Sequence, residues 1–207
     1  MEMKNIRLIR TKRGGFTLIE LLVVIGIIGI IAALIVNLSG KAARTRKINR
    51  VRAELEQLDT VIDAYEKKLG FYPPDNGNVE KDDGRRLSAA TNQLFYELAG
   101  AVYNDATQEF TSNGETITAG DVDQYFKRGG IVNSVNAEKF FSAKVNQHKA
   151  IIGNVRVLTV PVDLQPGDVN PWRYDSSSTN RHNLESYDLW AEILIGGKTN
   201  IIGNWKE

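Results

Sequence analysis

From Leu21 to Val36 the chain holds nothing but apolar residues and glycine, and Glu20 is the single charge in the 25 positions of residues 16–40. About 20 such residues cross a bilayer as a helix. The run is long for the apolar core of a secretory signal, and no clear small-x-small cleavage pattern follows it. The sequence therefore predicts a retained membrane helix over residues 16–40. Gly26 and Gly29 weaken that helix by roughly 1 kcal/mol each relative to alanine in water. They also supply part of a small-residue face for helix–helix contact.

Charge brackets this segment on both sides. Residues 1–15 hold five bases (Lys4, Arg7, Arg10, Lys12, Arg13) and one acid, Glu2. Lys41, Arg44, Arg46, Lys47, Arg50 and Arg52 follow the apolar run within a dozen residues. With basic flanks on each side, the positive-inside rule leaves the orientation open. Across the 207 residues, 26 bases nearly balance 25 acids, which argues against a nucleic-acid partner. There is no cysteine, so disulfides, thiolate metal sites and cysteine nucleophiles are excluded.

The helix is expected to continue. Ile48, Val51, Leu55, Leu58, Ile62, Tyr65 and Leu69 recur at alternating steps of three and four, an amphipathic stripe. A coiled coil is one reading, but the stripe covers only three heptads. A helix lying on its own domain is preferred. Gly70 and the following "FYPP" predict its end. Residues 70–207 then read as one α+β domain, an antiparallel sheet packed on the outer half of the helix. Short helices are expected in "SAATNQLFYELAG" and "NAEKFFSAKVNQ", the latter capped by Asn136. Strands are expected in "NVRVLTVPV", after "NPW", in "SYDLWAEILI" and in "NIIGNW". Residues 104–120 read as loop with a small hairpin.

No catalytic constellation stands out. His148 and His182 are the only histidines, and both are expected on the surface. "DSSST" lacks the glycines of a nucleophile elbow. Gly129-Gly130 and Gly196-Gly197 are too short for a phosphate cradle. Trp172, Trp190 and Trp205 are expected to anchor the core. The chain is not expected to be an enzyme.

The stretch "RGGFTLIELLVVIGIIGIIAALIV" resembles the class III signal of the type IV pilin superfamily, which includes pilins and the pseudopilins of type II secretion. The resemblance rests on a basic leader, Gly15, Phe16 and then Glu20, fifth in the mature chain. It implies removal of residues 1–15 by prepilin peptidase, cleavage between Gly15 and Phe16, N-methylation of Phe16 and a cytoplasmic leader. The remaining parts would be a filament-core helix over 16–40, its amphipathic outer half over 41–69 and a periplasmic domain over 70–207. "GFYPPDNG", "NPWRYD", "YDLW" and "IGNW" look like landmarks of the major (G-type) pseudopilin, whereas residues 79–165 match that pattern poorly. The family's proline before Asn37-Leu38 is absent, because Val36 stands there. The family's calcium loop would fall at residues 196–200, "GGKTN", which carry no acid. Calcium takes 6–8 oxygen ligands, usually including carboxylates, so no cofactor is expected.

The resemblance implies a pseudopilus subunit anchored in the bacterial inner membrane. Its partners would be further copies of itself, minor pseudopilins, the peptidase, an inner-membrane assembly platform and its ATPase. Glu20 would meet the Phe16 amine of a neighbouring subunit. The alternatives for Glu20 are a place at the headgroup boundary or a pair with its own Phe16. Alternatives for the whole chain are a type IV pilin of a surface fibre and a tethered binding module that never polymerises.

Overall fold

The computed structural model describes residues 15–76, 89–126, 130–164 and 167–206, without the side chains of 34–39. The expected leader lies almost entirely outside the described residues. The chain divides into two compact units, Met1–Arg44 and Thr45–Glu207.

Helix α1, Leu18–Leu69, runs unbroken for 52 residues. Neither Gly40 nor the absent proline interrupts it. It closes at Gly70, whose N–H reaches the Glu66 carbonyl at 2.7 Å. Among the described residues no helix is long and apolar enough to cross a membrane. The expected span of 16–40 includes residues 34–39, whose side chains lie outside the description.

In the second unit the stripe of α1 faces inward. Val51, Leu55, Leu58, Ile62 and Tyr65 are buried, with Ile48 and Leu69 partly covered at either end. The alternation of three and four thus marks a helix seated on its own domain.

The expected α+β arrangement is present, with the antiparallel strands grouped, among the described residues, in three small sheets. The first is a meander of β1 (Val102–Asn104), β2 (Glu109–Ser112) and β3 (Glu115–Thr118). The second is the hairpin of β4 (His148–Ile152) and β5 (Val155–Leu158). The third joins β6 (Arg173–Asp175), β7 (Asp188–Ile195) and β8 (Lys198–Gly203). A lone bridge between Thr159 and Pro171 links the second sheet to the third. The Arg156–Glu115 ion pair, 2.7 Å, ties β5 to β3. Along β7, Leu189, Ala191 and Ile193 alternate inward as the sequence predicts.

Two helices are short. α2, Leu94–Ala99, forms within the expected stretch and is wholly buried. α3, Ala119–Phe126, begins at the end of the expected loop and hairpin of 104–120, buries Val122 and Phe126, and is opened by Thr118, whose hydroxyl accepts from the Asp121 N–H at 3.0 Å. The helix expected at "NAEKFFSAKVNQ" does not form. Its backbone instead closes the end of α2: the N–H groups of Phe140 and Phe141 both reach the Leu98 carbonyl, at 3.0 and 2.9 Å. Asn133 holds the same segment by donating to the carbonyls of Glu97 and Glu138.

Candidate functional site

The N-terminal segment carries the residues singled out by the sequence. Gly15, Phe16 and Thr17 precede the helix, and Phe16 is 83% exposed. Thr17 and Glu20 form a reciprocal cap. The Glu20 carboxylate accepts from the Thr17 N–H and hydroxyl, each at 2.8 Å, while the Glu20 N–H donates to the Thr17 hydroxyl at 3.3 Å. This is the S/T-x-x-E capping box, which satisfies helix N–H groups that have no partner one turn back. In this structure Glu20 therefore serves its own helix start through Thr17. The "TLIE" signal for this was present in the sequence.

Beyond the cap the helix presents its apolar side chains outward. Every large hydrophobic residue from Phe16 to Ile31 is exposed. Phe16, Ile19, Glu20, Val23 and Val24 line one shallow hollow of about 290 Å³. Nothing lies within 4 Å of where a Cβ would stand on Gly26 or Gly29. A continuous apolar surface of this extent marks contact with lipid or protein rather than water.

In the second unit, the four landmark stretches come together as a lock. Tyr174 and Ser176 hydroxyls donate to the Pro73 carbonyl at 2.7 and 3.0 Å. Buried Asp75 accepts from the Ser176 and Ser177 N–H groups and from the Ser177 hydroxyl. "YPPD" is thus bonded to "RYDSS", and Ser176 and Ser177 are organised by it. Trp172 is fully buried and its indole N–H reaches Glu54 of α1 at 3.3 Å. Tyr187 donates to Asp59 of α1 at 3.0 Å. Asn204 accepts from the Leu189 N–H and donates to the Tyr187 carbonyl, tying "IGNW" to "YDLW". The Trp205 ring lies over Gly203, where a Cβ would meet it at 2.5 Å, so a larger residue there would require the ring to move. Trp190 and Trp205 are half-buried, so Trp172 alone of the three tryptophans is a core anchor.

A second polar centre lies in the poorly matching region. Glu97 is fully buried. It accepts from Tyr65 of α1 (2.9 Å), the Gln93 amide (2.8 Å) and the N–H groups of Val132 (2.8 Å) and Asn133 (2.9 Å). Burial raises its pKa, and these donors work against that rise. Each carboxylate oxygen receives two donors, so the site is built for an anion. Residues of the 79–165 region thus supply core and a clamp on α1.

The histidines differ from expectation in one case. His182 is exposed, stacks on Trp205 at 4.0 Å and contacts Asp188 at 2.9 Å. His148 is buried, contrary to the surface role expected, because β4 turns it onto Phe95, ring centres 4.6 Å apart. Its Nδ1 has no hydrogen-bond partner among the described residues. Burial, with the Arg156 cation adding to it, lowers its pKa.

Gly196 and Gly197, both at positive φ, form a two-residue turn between β7 and β8. Residues 196–200 are therefore a two-residue turn and the start of β8. Among the described residues no group of three or more His, Asp or Glu could hold a metal ion.

Comparison with known proteins gives two matches. Residues 10–36 match the prokaryotic N-terminal methylation motif. The chain is 39% identical over 70 residues to type II secretion system core protein G of Escherichia coli (strain K12), covering 33% of this chain and 48% of that protein. The match thus spans about half the length of that relative. No solved structure matches. Together the matches support a type IV pilin-like chain, similar to G-type pseudopilins.

Proposed function

We propose that this pilin-like chain is the repeating subunit of a type II secretion pseudopilus that helps drive protein export across the outer membrane. The observation that carries the reading is the methylation motif lying on a helix whose apolar side chains all face outward from Phe16 to Ile31. In this reading prepilin peptidase cuts between Gly15 and Phe16, and Phe16 is N-methylated. The apolar part of α1 anchors the chain in the inner membrane, with the domain after it in the periplasm. Assembly, powered by a cytoplasmic ATPase through an inner-membrane platform, moves that part from lipid into a filament core. Gly26 and Gly29 leave open space there for close helix approach. The subunit needs no calcium of the family kind and has no enzymatic role.

Glu20 then has two successive partners. Before cleavage it caps its own helix through Thr17. Cleavage exposes the Phe16 amine, and an unpaired charge at bilayer depth costs roughly 2.5–3.5 kcal/mol or more. We infer that on assembly Glu20 meets the Phe16 amine of a neighbour.

The test is electron microscopy of sheared surface material from cells that overproduce the chain with a type II secretion system. Filaments are expected. Glu20→Leu should abolish them while cleavage proceeds normally. Filaments that persist in Glu20→Leu refute the inter-subunit pair. Absence of filaments from the parent chain refutes the subunit reading.

A further inference from the structure

From Lys41 to Arg52 the chain carries six bases and no acid. Three of them share a helix face, since Arg46 and Arg50 are four apart and Lys47 and Arg50 three apart. That face borders a groove of about 530 Å³ whose other wall is Pro161, Val162, Asp163, Leu164 and Leu194. An adjoining hollow of about 190 Å³ shares Arg50, Pro161 and Asp163 and brings in Lys149 from β4. Three bases of α1 thus line a partly apolar cleft, a fourth from β4 lines the hollow beside it, and Asp163 is the one acid among the described residues of their walls. Arg46, Lys47 and Lys149 are exposed and form no ion pair among the described residues. Arg50 is also attracted to Glu54.

Cations beside an apolar wall suit a ligand that is anionic at one end and greasy at the other. Arg46 lies six residues after Gly40, so even fully extended chain keeps it within roughly 20 Å of the end of the apolar segment. The headgroup layer adds about 5–7 Å to each side of a bilayer core. Tethering therefore holds the groove at a high effective concentration of headgroups before any second copy arrives. We propose that this groove binds the phosphate of an anionic phospholipid, with Arg46, Lys47, Arg50 and Lys149 as the cationic side. The proposal rests on the membrane-anchored reading above.

The test uses the full chain in neutral detergent with equal phosphatidylglycerol and phosphatidylcholine. Lipids retained on the protein are counted by native mass spectrometry. Preferential retention of phosphatidylglycerol is expected, falling about fivefold for each of Arg46→Gln, Lys47→Gln and Arg50→Gln. An unchanged melting temperature in the triple variant shows that the fold is kept. Equal retention of both lipids, or a preference that survives the triple variant, overturns the proposal. Displacement by inorganic phosphate as readily as by phosphatidylglycerol assigns the site to free phosphate and also overturns it. So does a triple variant that keeps its lipid preference but loses self-association, which would assign the groove to a second copy. A chain that stays in solution without detergent overturns the anchored reading itself, a result separable from the others.

Discussion

Glu20 and Glu97 are two carboxylates in unlike settings, and each is explained by its donors. Glu20 stands at an exposed helix start, where Thr17 supplies both hydrogen bonds. Glu97 is enclosed, with four donors around it. Replacing Glu97 with glutamine keeps the shape but turns one oxygen into an NH₂ group facing a donor. Glu97→Gln is therefore expected to lose about 2 kcal/mol in urea unfolding, close to the cost of an unmet buried polar group. A neutral result would mean that Glu97 is protonated in the folded chain.

His148 sets a pH dependence of definite sign. The unfolded imidazole titrates near 6.5, and burial lowers the folded value below that. Above pH 6.5 both states are neutral and His148 contributes nothing. As pH falls below 6.5 the unfolded chain takes the proton first, so stability drops until the folded value is passed. Glu97, Glu54 and Asp59 have raised values through burial and pull the other way. Comparison with His148→Phe cancels those contributions. Urea midpoints should show the parent losing stability relative to His148→Phe between about pH 7.5 and pH 5, which bracket an ordinary imidazole. Parallel curves would place the imidazole in water.

At the level of elements, legibility followed periodicity. The α1 stripe and the alternation of β7 were readable because burial on one face repeats at the helix or strand period. Gly70, Gly100 and the final "IGNW" marked ends correctly for the same local reasons. The failed helix at 136–147 had adequate composition and a plausible cap. It was overridden by non-local bonding, as Leu98 and Asn133 took the hydrogen bonds a helix would need. No pattern in that segment alone could disclose this. β4 was missed because its alternation is weak, with exposed Lys149 and Ala150 side by side. The capping box is legible in Thr17-x-x-Glu20. Gly100 tests the override. A Cβ there would lie 2.7 Å from the carbonyl oxygens of both Ala137 and Glu138. Gly100→Ala should cost about 2 kcal/mol or more, because its φ of +71° is also unfavourable to alanine. A stability within a few tenths of the parent would show that residues 137–141 do not close α2 as described.

For the molecule as a whole, the landmark stretches scattered along the sequence turned out to share one purpose. "YPPD", "NPWRYD", "YDLW" and "IGNW" bond to one another and, through Trp172 and Tyr187, to Glu54 and Asp59 of α1. They fix the third sheet to α1 within the second unit. The sequence showed where these residues lie but not their partners, which are more than 100 positions apart in several cases, as with Tyr174 and Pro73. The N-terminal site is the reverse case. Gly15, Phe16 and Glu20 stand out in the sequence itself, within the residues that match the methylation motif, and the proposed pair of Glu20 with a neighbour's Phe16 involves a second copy of the chain.

The central claim is that Phe16 becomes the working N-terminus of a filament subunit. Intact-mass and N-terminal peptide analysis of the chain, purified from cells with active prepilin peptidase, tests it most directly. The account predicts a mature protein that begins at N-methylated Phe16 and lacks residues 1–15. A protein that keeps those residues, or that is cut elsewhere, would contradict it.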